Sequence, residues 1–210
     1  IPNPYSPYTR GAAVKNPKMV FGRTELIESM IGMIRDGNDD LVGGRCIVIY
    51  GQKRSGKTTI LYQLNKAVGQ HFDGHAGLPI CIDLGSMGDI VDDPAHPGQF
   101  LANFLAKMAS KMNLVVRRRT YKEFSERMRE EGIECPSESL PLSKNPTGKF
   151  YTYLDDYLRV LKAWNPHANL IFFLDEFTYL YPYIVEKKSV DVSFLKFWKA
   201  FMQTSDCLAI

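Results

Sequence analysis

The chain has 210 residues, of which 45% are apolar and 23% are charged. These values exclude a collagen-like or intrinsically disordered chain and are typical of one globular domain. The net charge of +3 and the pI near 8.6 are too small to indicate a nucleic-acid-binding protein from bulk electrostatics alone.

No run of about 18 apolar residues and no signal peptide is present, so we expect a cytoplasmic protein with no membrane span. The four cysteines are widely separated, without a CxxC pair, which favours reduced structural thiols: Cys46, Cys81, Cys135 and Cys207. The chain lacks an initiator methionine and stops within the apolar run "CLAI". We therefore expect it to be part of a longer protein.

The N-terminal half begins with an extended, proline-rich lead-in at 1–23. Apolar residues at three-to-four spacing then predict a helix from Thr24, which could cap its first turn, to the polar stretch at 35–40. "RCIVIY" at 45–50 has the pattern of a strand buried on both faces. A second helical period follows it at 58–70, and a strand at 78–86 and a helix at 98–113 complete this half.

The C-terminal half contains a buried strand at 169–177, a helix at 193–203 with core aromatics, and the start of a strand at 207–210. Strands that alternate with helices predict an α/β fold with a parallel sheet. Residues 114–149 are interpreted as a surface insertion, with a helix at 120–133 and an exposed loop at 134–148. A further helix follows at 149–164.

The motif "GQKRSGKTT" fits the pattern G-x-x-x-x-G-K-[ST] of a phosphate-binding loop, between a predicted strand and a predicted helix. The glycines allow backbone N–H groups to converge on an anion, and the helix N-terminus adds positive potential. Lys57 is expected to contact the β- and γ-phosphates, and the Thr58 hydroxyl to bind Mg²⁺. The predicted nucleotide-binding residues are Gly51, Gln52, Lys53, Arg54, Ser55, Gly56, Lys57, Thr58 and Thr59.

The strand "NLIFFLDEF" ends in two carboxylates, at the edge where open α/β sheets bind ligands. Asp175 is expected to hold Mg²⁺, directly or through water. Glu176 is expected to orient and deprotonate a water for attack on the γ-phosphate, with Lys57 as the other catalytic residue. The adjacent Asp-Glu pair favours hydrolysis of ATP over phosphoryl transfer to a small molecule.

Four stretches together resemble the STAND branch of the AAA+-type P-loop ATPases: "NPY" at 3–5, "VFGRTEL" at 20–26, "GQKRSGKTTIL" and "IFFLDEF". The resemblance implies a three-layer α/β/α fold with strand order 5-1-4-3-2, whose fifth strand and lid are absent from this chain. It also implies that Val20 and Phe21 line the adenine pocket. Arg23 would tie the lead-in to the nucleotide-bearing core.

By the same resemblance, residues 1–210 form one incomplete ATPase domain. Its parts are the lead-in at 1–23, the P-loop unit and second-strand unit at 24–113, the insertion at 114–149, and the Asp-Glu unit at 150–210. The implied function is ATP binding and Mg²⁺-dependent hydrolysis, as a conformational switch in signal transduction. The implied partners are the nucleotide, ATP or ADP, downstream lid and sensor or effector domains, and further copies of the chain.

Two other functions stay open from the sequence: an AAA+-type ATPase that acts on DNA, and a nucleotide-bound scaffold that does not hydrolyse ATP. Nucleic acid is possible but not favoured, because the cations at 117–119 have the pattern of a solvated surface. Asp83 is assigned a capping role in preference to a role in the Mg²⁺ site. The four histidines have no metal-ligand spacing.

Overall fold

A small parallel sheet lies at the centre of the fold. Its three strands are β1 (Gly77–Asp83), β2 (Asn169–Asp175) and β3 (Cys207–Ala209), and they lie side by side in that order. β1 and β2 are paired along all seven residues, and β2 and β3 along three. The computed structural model describes residues 22–34, 46–52, 55–71, 77–87, 99–186, 190, 192–204 and 207–209.

Helices flank the sheet strands along the chain, and all six predicted helices are present with their ends shifted by a few residues. A short helix, α6, was not predicted. The helices are α1 (Thr24–Ile34), α2 (Lys57–His71), α3 (Gln99–Val116), α4 (Lys122–Glu130), α5 (Pro146–Trp164), α6 (Tyr181–Val185) and α7 (Val192–Thr204). Among the helices of the described ranges, none is both long and apolar enough to cross a bilayer.

The two faces of β2 pack into different clusters of buried side chains. Leu170 and Phe172 belong to a large cluster with residues of α3, α5 and α7. Ile171 and Phe173 belong to a smaller cluster with residues of α1 and α2. Because successive side chains of a strand point to opposite faces, β2 is covered by helices on both sides. This explains its unbroken apolar sequence.

Aromatic residues of α7 form part of the large cluster, as predicted. Phe197, Trp198 and Phe201 are all buried. The ring of Phe194, in the first turn of α7, lies edge-on to Phe104 of α3 at a centroid distance of 5.0 Å. α7 is therefore held by aromatic packing against α3.

The predicted strand at 45–50 is wrong for its described residues. Cys46 forms only an isolated bridge, and residues 47–50 have no regular structure. Val48 and Tyr50 are 73% and 91% exposed. Ile47 and Ile49 are partly buried against the smaller cluster, so one face of the segment is covered and the other, with Val48 and Tyr50, is exposed. A strand of a parallel sheet has both faces covered.

The segment at 114–149 is integrated into the core, which differs from the predicted surface insertion. Its first residues belong to α3, and Phe124 of α4 and Leu140 of the following loop are completely buried. Phe124 packs edge-on against Tyr157 of α5 at 5.0 Å. The apolar stripe of α4 and one leucine of the loop therefore bind this segment to α3 and α5.

Three smaller expectations also differ from the structure. Thr24 is the first residue of α1 and not its cap. Leu26 is one of the apolar residues whose spacing predicts this helix, and it is 40% exposed.

Cys46 and Cys81 are exposed, whereas the apolar runs around them predicted burial. Cys81 lies on the face of β1 opposite the buried Ile80 and Ile82, where it contacts Asn65 of α2. The thiols of both cysteines and of Cys135 are free, as expected for reduced cysteines.

Candidate functional site

The glycine-rich loop turns sharply before α2. The Ser55 N–H donates to the carbonyl of Gln52 at 3.2 Å, which closes the turn. Gly56 has φ +90°, a conformation that strains any residue with a side chain. A Cβ on Gly51 would lie 3.0 Å from the Ser55 Oγ. Gly56 is therefore required for the backbone conformation, and Gly51 leaves room for the Ser55 side chain, which would have to shift if a Cβ were present.

The Lys57 ammonium group bends back over this loop. Its Nζ donates hydrogen bonds to the carbonyl oxygens of Gly51 at 3.0 Å and Gln52 at 2.9 Å. The carbonyl groups of the loop thus hold the positive charge of Lys57 against the loop. A phosphate oxygen at the loop would meet the ammonium group directly.

The first turn of α2 adds further hydrogen-bond donors at the same place. The first intrahelical bond runs from the Ile60 N–H to the Gly56 carbonyl at 3.0 Å. The N–H groups of Lys57 and Thr58 precede this bond and have no acceptor within the helix. The aligned peptide dipoles make this end of the helix favourable for an anion. The Thr58 side chain is exposed beside it.

Arg23 connects the start of α1 to the loop. Its guanidinium donates a hydrogen bond to the Ser55 carbonyl at 3.2 Å, across 32 residues of sequence. α1 and α2 also pack against each other through Met30, Ile31 and Ile60. The remaining predicted nucleotide-binding residues, Val20, Phe21, Lys53 and Arg54, lie outside the described residues.

The predicted carboxylates lie at the carboxyl edge of the sheet. Asp175 is the last residue of β2 and is half-buried, and its Oδ1 accepts the N–H of Glu176 at 3.0 Å. Glu176 is exposed, with φ 57° and ψ 35°, in the left-handed helical region. Few residues other than glycine, asparagine and aspartate adopt this conformation. The backbone therefore turns sharply at Glu176, and the side chain extends from the sheet edge.

Asp83 ends β1 beside Asp175 and caps the next turn, as predicted. Its Oδ1 accepts the Gly85 N–H at 2.9 Å, and its carbonyl accepts the Ser86 hydroxyl at 2.8 Å. A Cβ on Gly85 would lie 3.5 Å from the Cβ of Glu176. Gly85 is a site residue that sequence reasoning missed, although a glycine two residues after a strand-ending aspartate is a signal for such a turn.

The loop and the carboxylates are related through α2. Ile171, Phe173 and Asp175 alternate along β2, so Asp175 lies on the face that α2 covers. Five residues separate the end of α2 from the start of β1, and so short a connection places both at the amino edge of the sheet. α2 therefore runs antiparallel to the strands, with Lys57 toward the carboxyl edge.

The lengths of α2 and β1 agree with the placement of Lys57 toward the carboxyl edge of the sheet. Asn65 of α2 contacts the Cys81 thiol of β1. Lys57 lies about 12 Å farther along the helix axis. The end of β1 at Asp83 lies only about 7 Å beyond Cys81. The N-terminus of α2 thus reaches past the strand end. In the described part of the chain, no hydrogen bond or ion pair joins Lys57 to Asp175 or Glu176.

The described residues contain no group of three or more histidine, cysteine, aspartate or glutamate side chains arranged to hold a metal ion. Mg²⁺ commonly binds through one or two carboxylates together with phosphates and waters. The single half-buried carboxylate of Asp175 fits that kind of site.

No family model matches the chain, and no curated protein and no solved structure is significantly similar to it. The class that the fold and site define is therefore limited to an α/β protein with a small parallel sheet. Any finer assignment depends on the motifs and on their geometry.

Proposed function

We propose that this chain is the nucleotide-binding part of a STAND-type P-loop ATPase, which binds ATP with Mg²⁺ and hydrolyses it. The observation that carries the proposal is the Lys57 ammonium group, held at 3.0 and 2.9 Å over the carbonyls of a loop whose Gly56 has φ +90°. This combination of a conformationally restricted glycine, a lysine and a helix N-terminus suits a triphosphate.

The order of strands supports the same class of fold. The expected order 5-1-4-3-2 requires its fourth, third and second strands to be neighbours, and β3, β2 and β1 lie in that sequence. The P-loop ATPase fold adds a strand before the loop, at 45–50. Residues 46–50 would have to join a longer sheet for this assignment to hold.

In the proposed complex, the phosphates lie between the loop and the N-terminus of α2. The N–H groups of Lys57 and Thr58 donate to phosphate oxygens. The Lys57 ammonium group exchanges its two carbonyl acceptors for the β- and γ-phosphates. Arg23, already bonded to Ser55, links the residues that precede α1 to this loop.

Thr58 and Asp175 are the residues that would hold Mg²⁺. The Thr58 side chain is exposed at the start of α2, and Asp175 lies on the sheet face that α2 covers. One oxygen of Asp175 accepts the Glu176 N–H, which leaves the second oxygen for the ion or its water. Bound Mg²⁺ would offset negative charge on the phosphate oxygens during hydrolysis.

Glu176 is proposed as the residue that orients and deprotonates the attacking water. Its backbone is fixed on both sides, since its N–H donates to Asp175 and its carbonyl accepts the Tyr179 N–H at 2.8 Å. The side chain is exposed and has no ion-pair partner among the described residues. A carboxylate held in this way is available to a substrate water.

A nucleotide bound at this edge would touch two parts of the fold at once: the loop that begins α2 and the end of β2. Loss of the γ-phosphate would remove contacts that join them. We propose that this change acts as the conformational switch that is passed to downstream domains of a signal-transduction ATPase.

Binding of ATP is tested with Lys57→Ala. We expect the variant to lose ATP affinity, measured by equilibrium titration with labelled ATP in the presence of Mg²⁺. Lys66→Ala is the matched control, since Lys66 is an exposed lysine of the same helix. Equal ATP affinity of the wild type, Lys57→Ala and Lys66→Ala would refute the assignment of the loop.

Hydrolysis is tested with Glu176→Gln, which preserves size while removing the base. The expected variant binds ATP as the wild type does but releases little phosphate in a steady-state assay. Glu186→Gln, another exposed glutamate, provides the control. Undiminished turnover of Glu176→Gln would show that the base is another group. ATP binding without turnover in the wild type would instead favour the scaffold function.

A further inference from the structure

Basic side chains cluster where α3 ends and α4 begins. The side chains there line an open groove of about 290 Å³. We name it the basic groove. Its lining is Val116, Arg117, Arg118, Arg119, Lys122, Ser125, Glu126 and Arg129. One carboxylate faces five cations, whereas the net charge of the entire chain is +3.

The cations come from two elements that converge. Arg117, Arg118 and Arg119 follow the end of α3 directly, and Lys122 and Arg129 stand seven residues apart on α4. Seven residues are two helical turns, so these two cations share one face of α4 and are separated by about 10 Å. The opposite face carries Phe124, which is buried in the core.

The backbone that carries the arginines is rigidly held. The Arg118 N–H donates to the Val115 carbonyl at 3.0 Å, and the Arg118 carbonyl accepts the Tyr121 N–H at 2.9 Å. Tyr121 is buried, with its ring edge-on to Trp164 of α5. The guanidinium groups therefore project from a fixed turn, which lowers the entropy lost when a ligand binds.

Lys122 pairs with Glu126, the single carboxylate of the groove, at 3.6 Å, whereas the four arginines lack the partners that nearby cations have. On the same helix Arg127 pairs with Glu123 at 2.8 Å, and on α5 Arg159 pairs with Glu131 and Asp156. Within the described ranges, no ion pair or side-chain hydrogen bond is made by the three consecutive arginines or by Arg129. One cation would suffice to offset the negative end of α3. Glu126 offsets one of the five converging cations, and the four arginines that remain repel one another and are stabilised by an external polyanion.

We propose that the basic groove binds the phosphate backbone of a double-stranded nucleic acid. A stretch of about 10 Å spans roughly three phosphates of one strand, which suits the spacing of Lys122 and Arg129. Arginine forks and the Ser125 hydroxyl are donors of the type that contact phosphate oxygens.

The residue types of the lining disfavour binding of single-stranded nucleic acid, peptides and membranes. It contains no aromatic ring, and single strands are held largely by stacking of bases on such rings. Val116 is its only apolar residue, whereas peptide grooves and membrane-binding surfaces need several apolar anchors. Contacts confined to phosphate predict binding that is independent of base sequence.

The test measures binding of the full chain to a labelled 20-base-pair duplex by fluorescence anisotropy, over a range of salt concentrations. Contact by all five cations predicts a slope of log affinity against log salt of about −4.5, and Arg117→Ala/Arg119→Ala should reduce it to about −2.7. Lys196→Ala/Lys199→Ala removes two exposed lysines of α7 and should leave the slope unchanged.

Four outcomes would overturn the proposal. It is overturned by a slope that the double arginine variant leaves unchanged, or by an equal loss in the lysine control. It is also overturned if a single strand, a polyglutamate peptide or phosphatidylserine vesicles bind the groove more tightly than the duplex. Lys57→Ala should retain duplex affinity without nucleotide, because the groove does not include the glycine-rich loop. Loss of duplex binding in that variant would assign it to the loop and overturn the proposal.

Discussion

The guanidinium of Arg23 donates a hydrogen bond to the carbonyl of Ser55 at 3.2 Å. This bond joins the residue just before α1 to the loop just before α2. The Ser55 carbonyl belongs to the same loop as the Gly51 and Gln52 carbonyls, which accept hydrogen bonds from Lys57. We infer that Arg23 holds the loop in the conformation that favours phosphate.

Replacing Arg23 with alanine should therefore weaken ATP binding without unfolding the chain. A hydrogen bond of a charged donor contributes about 1.5–3 kcal/mol, and exposure of this pair places the effect at the low end, about a tenfold loss of affinity. Labelled ATP titration measures it. Arg127→Ala is the matched control, since Arg127 also donates to a backbone carbonyl, that of Ala163 at 3.1 Å. Equal losses of ATP affinity in the two variants would show that Arg23 has no specific role in holding the loop.

The left-handed conformation of Glu176 predicts a conflict between stability and activity. A non-glycine residue in this region costs about 1–2 kcal/mol. Glycine avoids that cost but loses about 0.5–1 kcal/mol through its freer unfolded state. Glu176→Gly should therefore be more stable than Glu176→Ala by about 0.75 kcal/mol, as measured by urea unfolding.

Both Glu176 variants should lack ATP turnover, because both remove the carboxylate. The alanine variant is the matched control, since it removes the same side chain and keeps the strained backbone. If Glu176→Ala were as stable as Glu176→Gly, the conformation would not be strained. If either variant kept wild-type turnover, the Glu176 carboxylate would not be the base.

The helices and β2 could be predicted from sequence because their signals are local. α3 shows the three-to-four period of Phe100, Phe104 and Met108, all of them buried as expected. β2 is one apolar run bounded by polar residues. Asp175 could be placed at the carboxyl edge because the end of a parallel strand fixes its position. These features need no knowledge of distant contacts.

The remaining features depend on tertiary contacts. "RCIVIY" has strong strand propensity, yet a strand forms only with a neighbour, and residues 47–50 pair with no strand of the described part of the chain. The left-handed backbone of Glu176 has no signal in its residue type. The arginines at 117–119 are exposed, as interpreted from the sequence, but the sequence does not show that Lys122 and Arg129 of α4 line the same groove.

Leu140 gives a direct test of how the 134–148 loop is held. This leucine is completely buried, and Leu142 two residues later is 87% exposed. The Pro141 carbonyl between them accepts a hydrogen bond from Gln99 of α3 at 3.1 Å. Leu140→Ala should cost about 2–5 kcal/mol of unfolding free energy, whereas Leu142→Ala should change it by less than about 0.5 kcal/mol.

Chemical denaturation of both leucine variants measures the difference. The two variants carry the same substitution in the same loop and differ in the burial of the leucine. Effects of residue type and of loop composition therefore cancel in the comparison. A cost below about 1 kcal/mol for Leu140→Ala would show that the loop is a surface insertion, as its proline and serine content suggested.

Tyr153 is expected to make the free energy of unfolding depend on pH in the alkaline range. It is buried on α5, and burial raises the pKa of its phenol well above the ordinary value, with the neighbouring Cys135 thiol raising it further. The neutral phenol is thus favoured in the folded chain. Its contribution is fully present below the unfolded pKa of about 10 and is lost as pH rises above that value.

The free energy of unfolding should therefore fall above about pH 10, by up to about 1.4 kcal/mol per pH unit from this group. Tyr153→Phe should show a shallower fall, since phenylalanine has no proton to lose. Tyr181→Phe is the control, because the Tyr181 side chain is 62% exposed and should leave the fall unchanged. Urea unfolding of the three proteins between pH 8 and 11.5 measures this. Identical slopes for the wild type and Tyr153→Phe would show that Tyr153 ionises without opening the core around α5.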